Sequence, residues 1–206
     1  MLNIEQLKAM FKVAPKNDIC DYLNGIYIEL SNPSKDIYFV TDKHHLIGFN
    51  DANKIKSEFY QKIDHIFLPY SGIKTFISSN KWSKYAPETI YINIAPNGDI
   101  VLSADTGMAI IVGNADSASQ RELKYPPCSE VFEHWLKDAV PFEKNLGLLS
   151  SKTMELWELY QKAFRAIDRK ILSANGNLIT VDCFKGELEG NLSYFLGSQL
   201  VADKFA

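Results

Sequence analysis

The sequence predicts an α+β fold of repeated, helix-backed antiparallel sheets. Three observations predict it. Residues 21–50 read as three consecutive short strands, with Ile26, Ile28 and Leu30 alternating with Tyr27 and Glu29. A unit of one helix followed by three strands then recurs along the chain, in strand–helix–three-strand form, with little identity between copies and a period too irregular for a solenoid. Turn chemistry punctuates the strands, most strongly at Pro96-Asn97-Gly98-Asp99 and Asn175-Gly176.

Taken in order, residues 4–11 form a short helix, because Ile4, Leu7 and Phe11 share one face and Pro15 lies just beyond. The first strand follows, then the turn Ser31-Asn32-Pro33-Ser34-Lys35. Ile37, Phe39 and Thr41 alternate with Tyr38 and Val40, Asp42-Lys43 makes a corner, and residues 44–49 run out again. A polar connector over residues 51–61 leads to a second unit. Ile63, Ile66 and Leu68 mark a strand ended by Pro69, Ser71 caps a helix with Ile73, Phe76 and Ile77 on its face, and three strands cover residues 89–94, 100–105 and 108–112. Residues 114–145 are less regular, and the adjacent prolines Pro126-Pro127 favour an extended connector over 125–132. In the third unit residues 146–149 are a strand, and Ser150 or Ser151 caps the longest helix, running to about Arg169. Leu156, Tyr160, Ala163, Phe164 and Ile167 form its apolar face. Residues 171–173, 178–184 and 192–196 complete that unit.

Composition narrows the function classes. Apolar residues make up 46% and charged residues 23%, the balance of a soluble globular chain. No run reaches the ~18 apolar residues of a membrane helix, and the start carries no signal-peptide pattern. The three cysteines, Cys20, Cys128 and Cys183, are odd in number and far apart, which argues against a disulfide framework or a zinc site and for a reducing, cytoplasmic setting. A net charge of −3 weighs against tight DNA binding by phosphate neutralisation, although a local basic surface remains compatible with it. His44 and His45 are neighbours on a strand, point to opposite faces and do not make a metal pair; His65 and His134 add no ligand spacing. Phosphate-loop, dinucleotide, zinc-protease and serine-hydrolase motifs are absent. Asp42, Asp105 and Asp182 fall at strand ends of the three units, as repeated fold positions would. The expectation is a non-enzyme with no cofactor and no metal.

Two motifs then carry a resemblance. Tyr22-Leu23-Asn24-Gly25-Ile26, followed after one strand by Val40-Thr41-Asp42-Lys43-His44-His45-Leu46, resembles the bacterial DNA polymerase III beta subunit family, the DNA sliding clamp. That family has Y-L-N-G and T-D-G-H-R-L-A there, so Lys43 replaces a glycine and His45 an arginine. The resemblance implies a DNA-clamp-like fold. Residues 1–132 are similar to the two-module middle domain, with Tyr125-Pro126-Pro127-Cys128-Ser129-Glu130-Val131-Phe132 at the family's F-P-D-Y-R-R-V-L exit segment. Residues 133–145 are a connector, and 146–206 resemble the second half of the last clamp domain, without its Met-Pro-Met ending. The clamp's first domain and the first half of its last have no counterpart, a shortening that suggests a phage or mobile-element source.

The resemblance also implies two surfaces. A hydrophobic cleft for short linear peptides of polymerases and other replication proteins would be walled by Leu23, Thr41, His44, Leu46, Pro126, Val131 and Phe195. By residue type alone, Leu23, Leu46 and Val131 read rather as core, and it is the order of the motifs that brings the two readings nearer even. Helices that pass duplex DNA with weak, non-specific phosphate contacts would present Lys8, Lys12, Lys74, Lys81, Lys84, Lys162, Arg165 and Arg169. Glu155 and Glu158 share that surface, so a solvated helix face is the competing reading. The implied role is a replication processivity factor, a homo-oligomer of several chains if it encircles DNA. The alternative is a regulator or decoy that captures clamp-binding peptides, or a host clamp, without encirclement.

Overall fold

A computed structural model of the chain describes residues 2–55, 63–79, 87–141, 149–164, 168–174, 177–183 and 192–198. Helix α1 (Ile4–Val13) starts in a capping box: the Asn3 side chain accepts from the Gln6 amide at 2.8 Å, and the Gln6 side chain accepts from the Asn3 amide at 2.9 Å. Its buried stripe is Ile4, Leu7, Met10 and Val13. Phe11 stands on the shoulder of that stripe, half-buried.

Strands β1 (Gly25–Glu29), β2 (Asp36–Thr41) and β3 (His45–Asp51) form the expected antiparallel meander. A short 3-10 turn, η1 (Asp21–Leu23), precedes it. The strand expected to open the second unit, β4 (His65–Pro69), pairs instead with β1, placing Ile66 opposite Ile28. Helix α2 (Tyr70–Ser78) follows at once, with Pro69 rather than Ser71 at its N-cap. Tyr70 N–H donates to the Asn24 carbonyl at 2.7 Å, which satisfies one helix-start amide without a side-chain cap. Strands β5 (Ile90–Ile94), β6 (Asp99–Ala104) and β7 (Ala109–Asn114) make a separate three-stranded sheet. Gly98, at φ 84°, takes the left-handed position that the hairpin needs.

Next come α3 (Ala118–Arg121), α4 (Cys128–Lys137), the two-residue β8 (Val140–Pro141), α5 (Ser151–Ala163), β9 (Asp168–Ala174), β10 (Asn177–Cys183) and β11 (Leu192–Ser198). The larger sheet runs β4-β1-β2-β3-β11-β10-β9-β8. Its seam is the antiparallel pair of β3 and β11, which sets Ile47 against Phe195 and joins the first and third units in one sheet. Helices α1, α2 and α5 form one layer, with α1 touching both neighbours. The main core includes Leu7, Met10, Ile28, Val40, Ile47, Phe76, Leu102, Tyr160 and Phe195.

Two further sequence expectations are corrected. The prolines do not extend the chain as far as residue 132: α4 begins at Cys128 with Pro127 as its N-cap, where a missing N–H costs nothing. Its Cys128 and Phe132 cover Phe39, Leu46 and Ile179 on the face of the sheet away from α1, making a second core. That cover explains why Tyr38, Phe39 and Val40 are all buried despite their alternation. The long helix stops at Ala163, with Phe164 as its C-cap, and Arg169 lies on β9 opposite Asp182. Strand pairing with β10 overrides helix propensity there. Ile167, the turn Asn175-Gly176 and residues 146–148 lie outside the described residues.

Asp36 is fully buried opposite Asp51. One carboxylate oxygen accepts from the Ile55 amide at 2.5 Å, and the other, Oδ1, has no hydrogen-bond partner among the described residues. Burial raises this carboxyl above its ordinary range, opposed by the Ile55 amide. The folded state therefore holds the proton more tightly than the unfolded chain, and stability falls as pH rises through the folded value. Asp36→Asn keeps the acceptor and removes the charge. It is expected to raise stability at pH 7 by about 1 kcal/mol, a gain that shrinks as pH falls through the raised folded value and is gone below about pH 4, the unfolded carboxylate value; urea unfolding at pH 7 and pH 4 measures it.

Candidate peptide and DNA interface

The corner between β2 and β3 is a polar knot. Lys43 sits at φ 78°, a conformation that glycine adopts without strain, where the resembled family has glycine. Its ammonium is held by Asp18 at 3.0 and 3.1 Å. Asp42 Oδ1 accepts from the His44 and His45 amides at 3.0 and 2.7 Å, an Asx turn that closes the corner. Both Asp42 oxygens lie 3.0 Å from His45 Nδ1, and His45 Nε2 lies 2.9 Å from the Thr153 hydroxyl of α5. Thr153 also meets the Ser150 hydroxyl at 2.8 Å, and Lys152 Nζ reaches Asp42 Oδ2 at 2.5 Å. Gly197 permits this docking, since a Cβ there would come within 2.6 Å of Thr153 Cγ2.

Burial alone would raise the Asp42 carboxyl. Hydrogen bonds from His45 and Lys152 outweigh it and hold the group well below the ordinary carboxylate range. The order carboxylate–imidazole–hydroxyl is that of an activated nucleophile, but Thr153 is wholly buried. The arrangement ties the corner to the start of α5. Sequence reading singled out His45 as a departure from the family pattern and set aside a metal pair with His44, but did not find its tie to α5. Its bond to Thr153 spans 108 positions, so no local signal announces it.

The seven residues of the expected peptide cleft divide between the two faces of the sheet. Leu23 is buried in η1, and Leu46 lies in the second core under α4. Thr41 pairs with Leu46 at the end of β2 and is half-buried, as is Pro126 just before α4. His44 is exposed at the corner, and Val131 on α4 is 38% exposed. Val131 borders a groove of about 480 Å³ along α4, with Pro127, Glu130 and His134. Phe195 is on the other side, fully buried among His45 and Tyr160. The register puts Leu196, not Phe195, beside Leu46. Three consecutive large residues, Tyr194-Phe195-Leu196, hide the phase of that strand, and a one-residue slip exchanges the faces.

Among the helix lysines, Lys12, Lys74 and Lys162 are exposed, while Lys8 is paired with Glu5 at 2.8 Å. Exposed Glu155 and Glu158 accompany Lys162 on α5, so the layer carries both signs. Lys81, Lys84 and Arg165 lie outside the described residues. No described helix is long and apolar enough to cross a membrane, and no cluster of three or more acidic, histidine or cysteine ligands occurs among the described residues.

No protein-family model matches the sequence, and no curated protein does. Solved structures do. The chain is similar to the DNA polymerase III beta subunit of Thermotoga maritima at TM-score 0.54 and 12% identity, over 98% of this chain and 64% of that one. The DNA polymerase sliding clamp of Pseudomonas aeruginosa gives 0.53 and 12%, over 97% and 66%. The Helicobacter pylori beta clamp bound to a DNA ligase peptide gives 0.51 and 15%, over 96% and 62%. The chain thus spans slightly less than two thirds of each clamp. At such identities the likeness is one of architecture, and the architecture is that of the DNA sliding clamp.

Proposed function

We propose that this chain is a non-catalytic, sliding-clamp-like factor of DNA replication, which binds short peptide motifs and passes duplex DNA along its helical layer. The observation that carries the reading is the fold itself: helices α1, α2 and α5 in one layer behind antiparallel sheets, aligned with solved clamps over nearly the whole chain. In this reading residues 1–132 are a two-module clamp-like domain, and residues 146–206 are a further module beyond the connector. Peptides from a polymerase or another replication protein dock on the outer face beside the corner. Thr41, His44, Pro126 and Val131 are accessible there, over a floor containing Leu23 and Leu46. The DNA-facing cations are Lys8, Lys12, Lys74 and Lys162, with Lys81, Lys84 and Arg165 on sequence grounds. Contacts of this kind are weak and salt-sensitive, as sliding requires.

Encirclement needs several chains, so the assembly state is the first test. Light scattering at micromolar concentration is expected to show an oligomer; a monomer would favour the regulator or decoy reading over the ring. The peptide surface has its own test. Val131→Glu changes an exposed position and should leave the fold intact. It is expected to weaken a fluorescent polymerase-tail peptide about tenfold in an anisotropy titration, and unchanged affinity would remove Val131 from the site.

A further inference from the structure

A cleft of about 900 Å³ opens where η1, the β4–α2 junction, the end of β7 and α3 converge, and none of the seven corner-cleft residues lines it. We propose that this cleft is a second peptide site, which takes an extended segment with an aromatic or leucine anchor beside a carboxylate. The volume suits a short peptide stretch.

Its apolar wall is set before any ligand arrives. Tyr22, Phe67 and Tyr70 line it. Tyr22 meets Tyr125 edge-on at 6.0 Å, and Tyr70 stacks on Phe11 of α1 at 4.4 Å. The backbone of Phe67 is clamped by the Gln120 side chain, which accepts from its N–H at 2.8 Å and donates to its carbonyl at 2.6 Å. Gln120 thereby occupies the outer edge of β4 as a strand would, leaving the cleft beside it for side chains. Rings already fixed by neighbours lose little freedom on binding, which favours affinity.

The carboxylate has a place at the lip. Helix α2 starts there with neither a side-chain cap nor an acidic residue in its first turn, and Lys74 lines the cleft one turn along. The positive helix end and the ammonium act in the same direction. Lys16 and Lys124 also line the cleft, together with Asp21 and Glu122. This mixture of signs decides the ligand class. The two carboxylates repel a continuous phosphate chain, whereas a peptide can match charges of either sign. The rings are partly buried walls rather than raised platforms, which suits an inserted side chain better than a stacked base.

The inference takes its ligand class from the proposed function but shares no residue with the corner cleft, so one experiment separates the two peptide sites; Lys74 also belongs to the proposed DNA-facing set, and Tyr22→Ala tests the cleft independently of it. The probe is a fluorescein-labelled peptide containing a phenylalanine, a leucine and a pair of glutamates, followed by anisotropy. Lys74→Glu, at an exposed position, is expected to weaken it at least about fivefold, an effect that shrinks with added salt. Tyr22→Ala, checked for folding by circular dichroism, is expected to weaken it about tenfold. Val131→Glu should leave at least one binding phase intact. Full binding by both Lys74→Glu and Tyr22→Ala would overturn the second site. Loss confined to Val131→Glu would also overturn it, while upholding the corner cleft. Tighter binding of an oligo-dT probe than of the peptide, sensitive to Tyr22→Ala, would replace the peptide with single-stranded nucleic acid and overturn the inference as stated.

Discussion

Asp42→Asn is expected to cost about 3 kcal/mol at pH 7, because it strips the partner from a buried, hydrogen-bonded charge cluster. The Asp42 side chain is only 6% exposed and that of His45 4%. The substitution leaves His45 Nδ1 facing a neutral amide and severs Lys152 from the corner. The same cluster gives the chain an acid-sensitive component. The Asp42 carboxyl is held below its ordinary range in the folded state. The unfolded chain therefore takes up the proton first as pH falls. Stability from this group is complete above about pH 4, the unfolded carboxylate value, and drains away below it. Urea midpoints at pH 7, 5 and 3 should show wild type losing more stability than Asp42→Asn on acidification; parallel losses would mean that Asp42 is not the titrating group. Lys152→Ala should cost less than about 1 kcal/mol, since that ammonium is 59% exposed and screened by solvent.

Gly25→Ala carries the other large effect, about 3 kcal/mol or outright failure to fold. A Cβ at Gly25 would lie 2.1 Å from the Leu68 carbonyl oxygen and 2.6 Å from Phe67 Cζ. The nearer atom is backbone, fixed by the pairing of Ile26 with Leu68, so relief requires β1 and β4 to separate. Gly107 is the control. It sits at φ 91° with open space around it, so Gly107→Ala meets only backbone strain, about 1 kcal/mol. Thermal unfolding of the two variants measures the difference. The glycine of the Tyr22-Leu23-Asn24-Gly25 motif is thus a packing requirement of the β1–β4 contact, whatever else the motif does.

The parts of the fold that sequence reading recovers are those written locally. The meander β1–β3 follows from alternation, and the β5–β6 hairpin from Asn97-Gly98. The start of α5 follows from Ser150, whose hydroxyl accepts from the Thr153 amide at 3.0 Å. What it misses depends on partners distant in the chain. Nothing near residue 65 says that β4 belongs with β1. Nothing near Phe39 reveals that α4 will cover it. The candidate site divides in the same way. The corner residues are recognisable from their motif, but the tie to Thr153 is not. The aromatic cleft at Tyr22 is assembled from three separate stretches, residues 16–24, 67–74 and 113–124, and only the fold brings them together.

The seam between β3 and β11 has a consequence during synthesis. Residues 192–198 leave the ribosome long after residues 45–51, their partners in the sheet. Until they do, β3 is an open border with unclaimed amides, and the nascent chain must avoid adhering to others through it. Closing that border depends on a contact between distant parts of the chain, which places completion of the large sheet late and makes folding slower than its local hairpins alone would suggest.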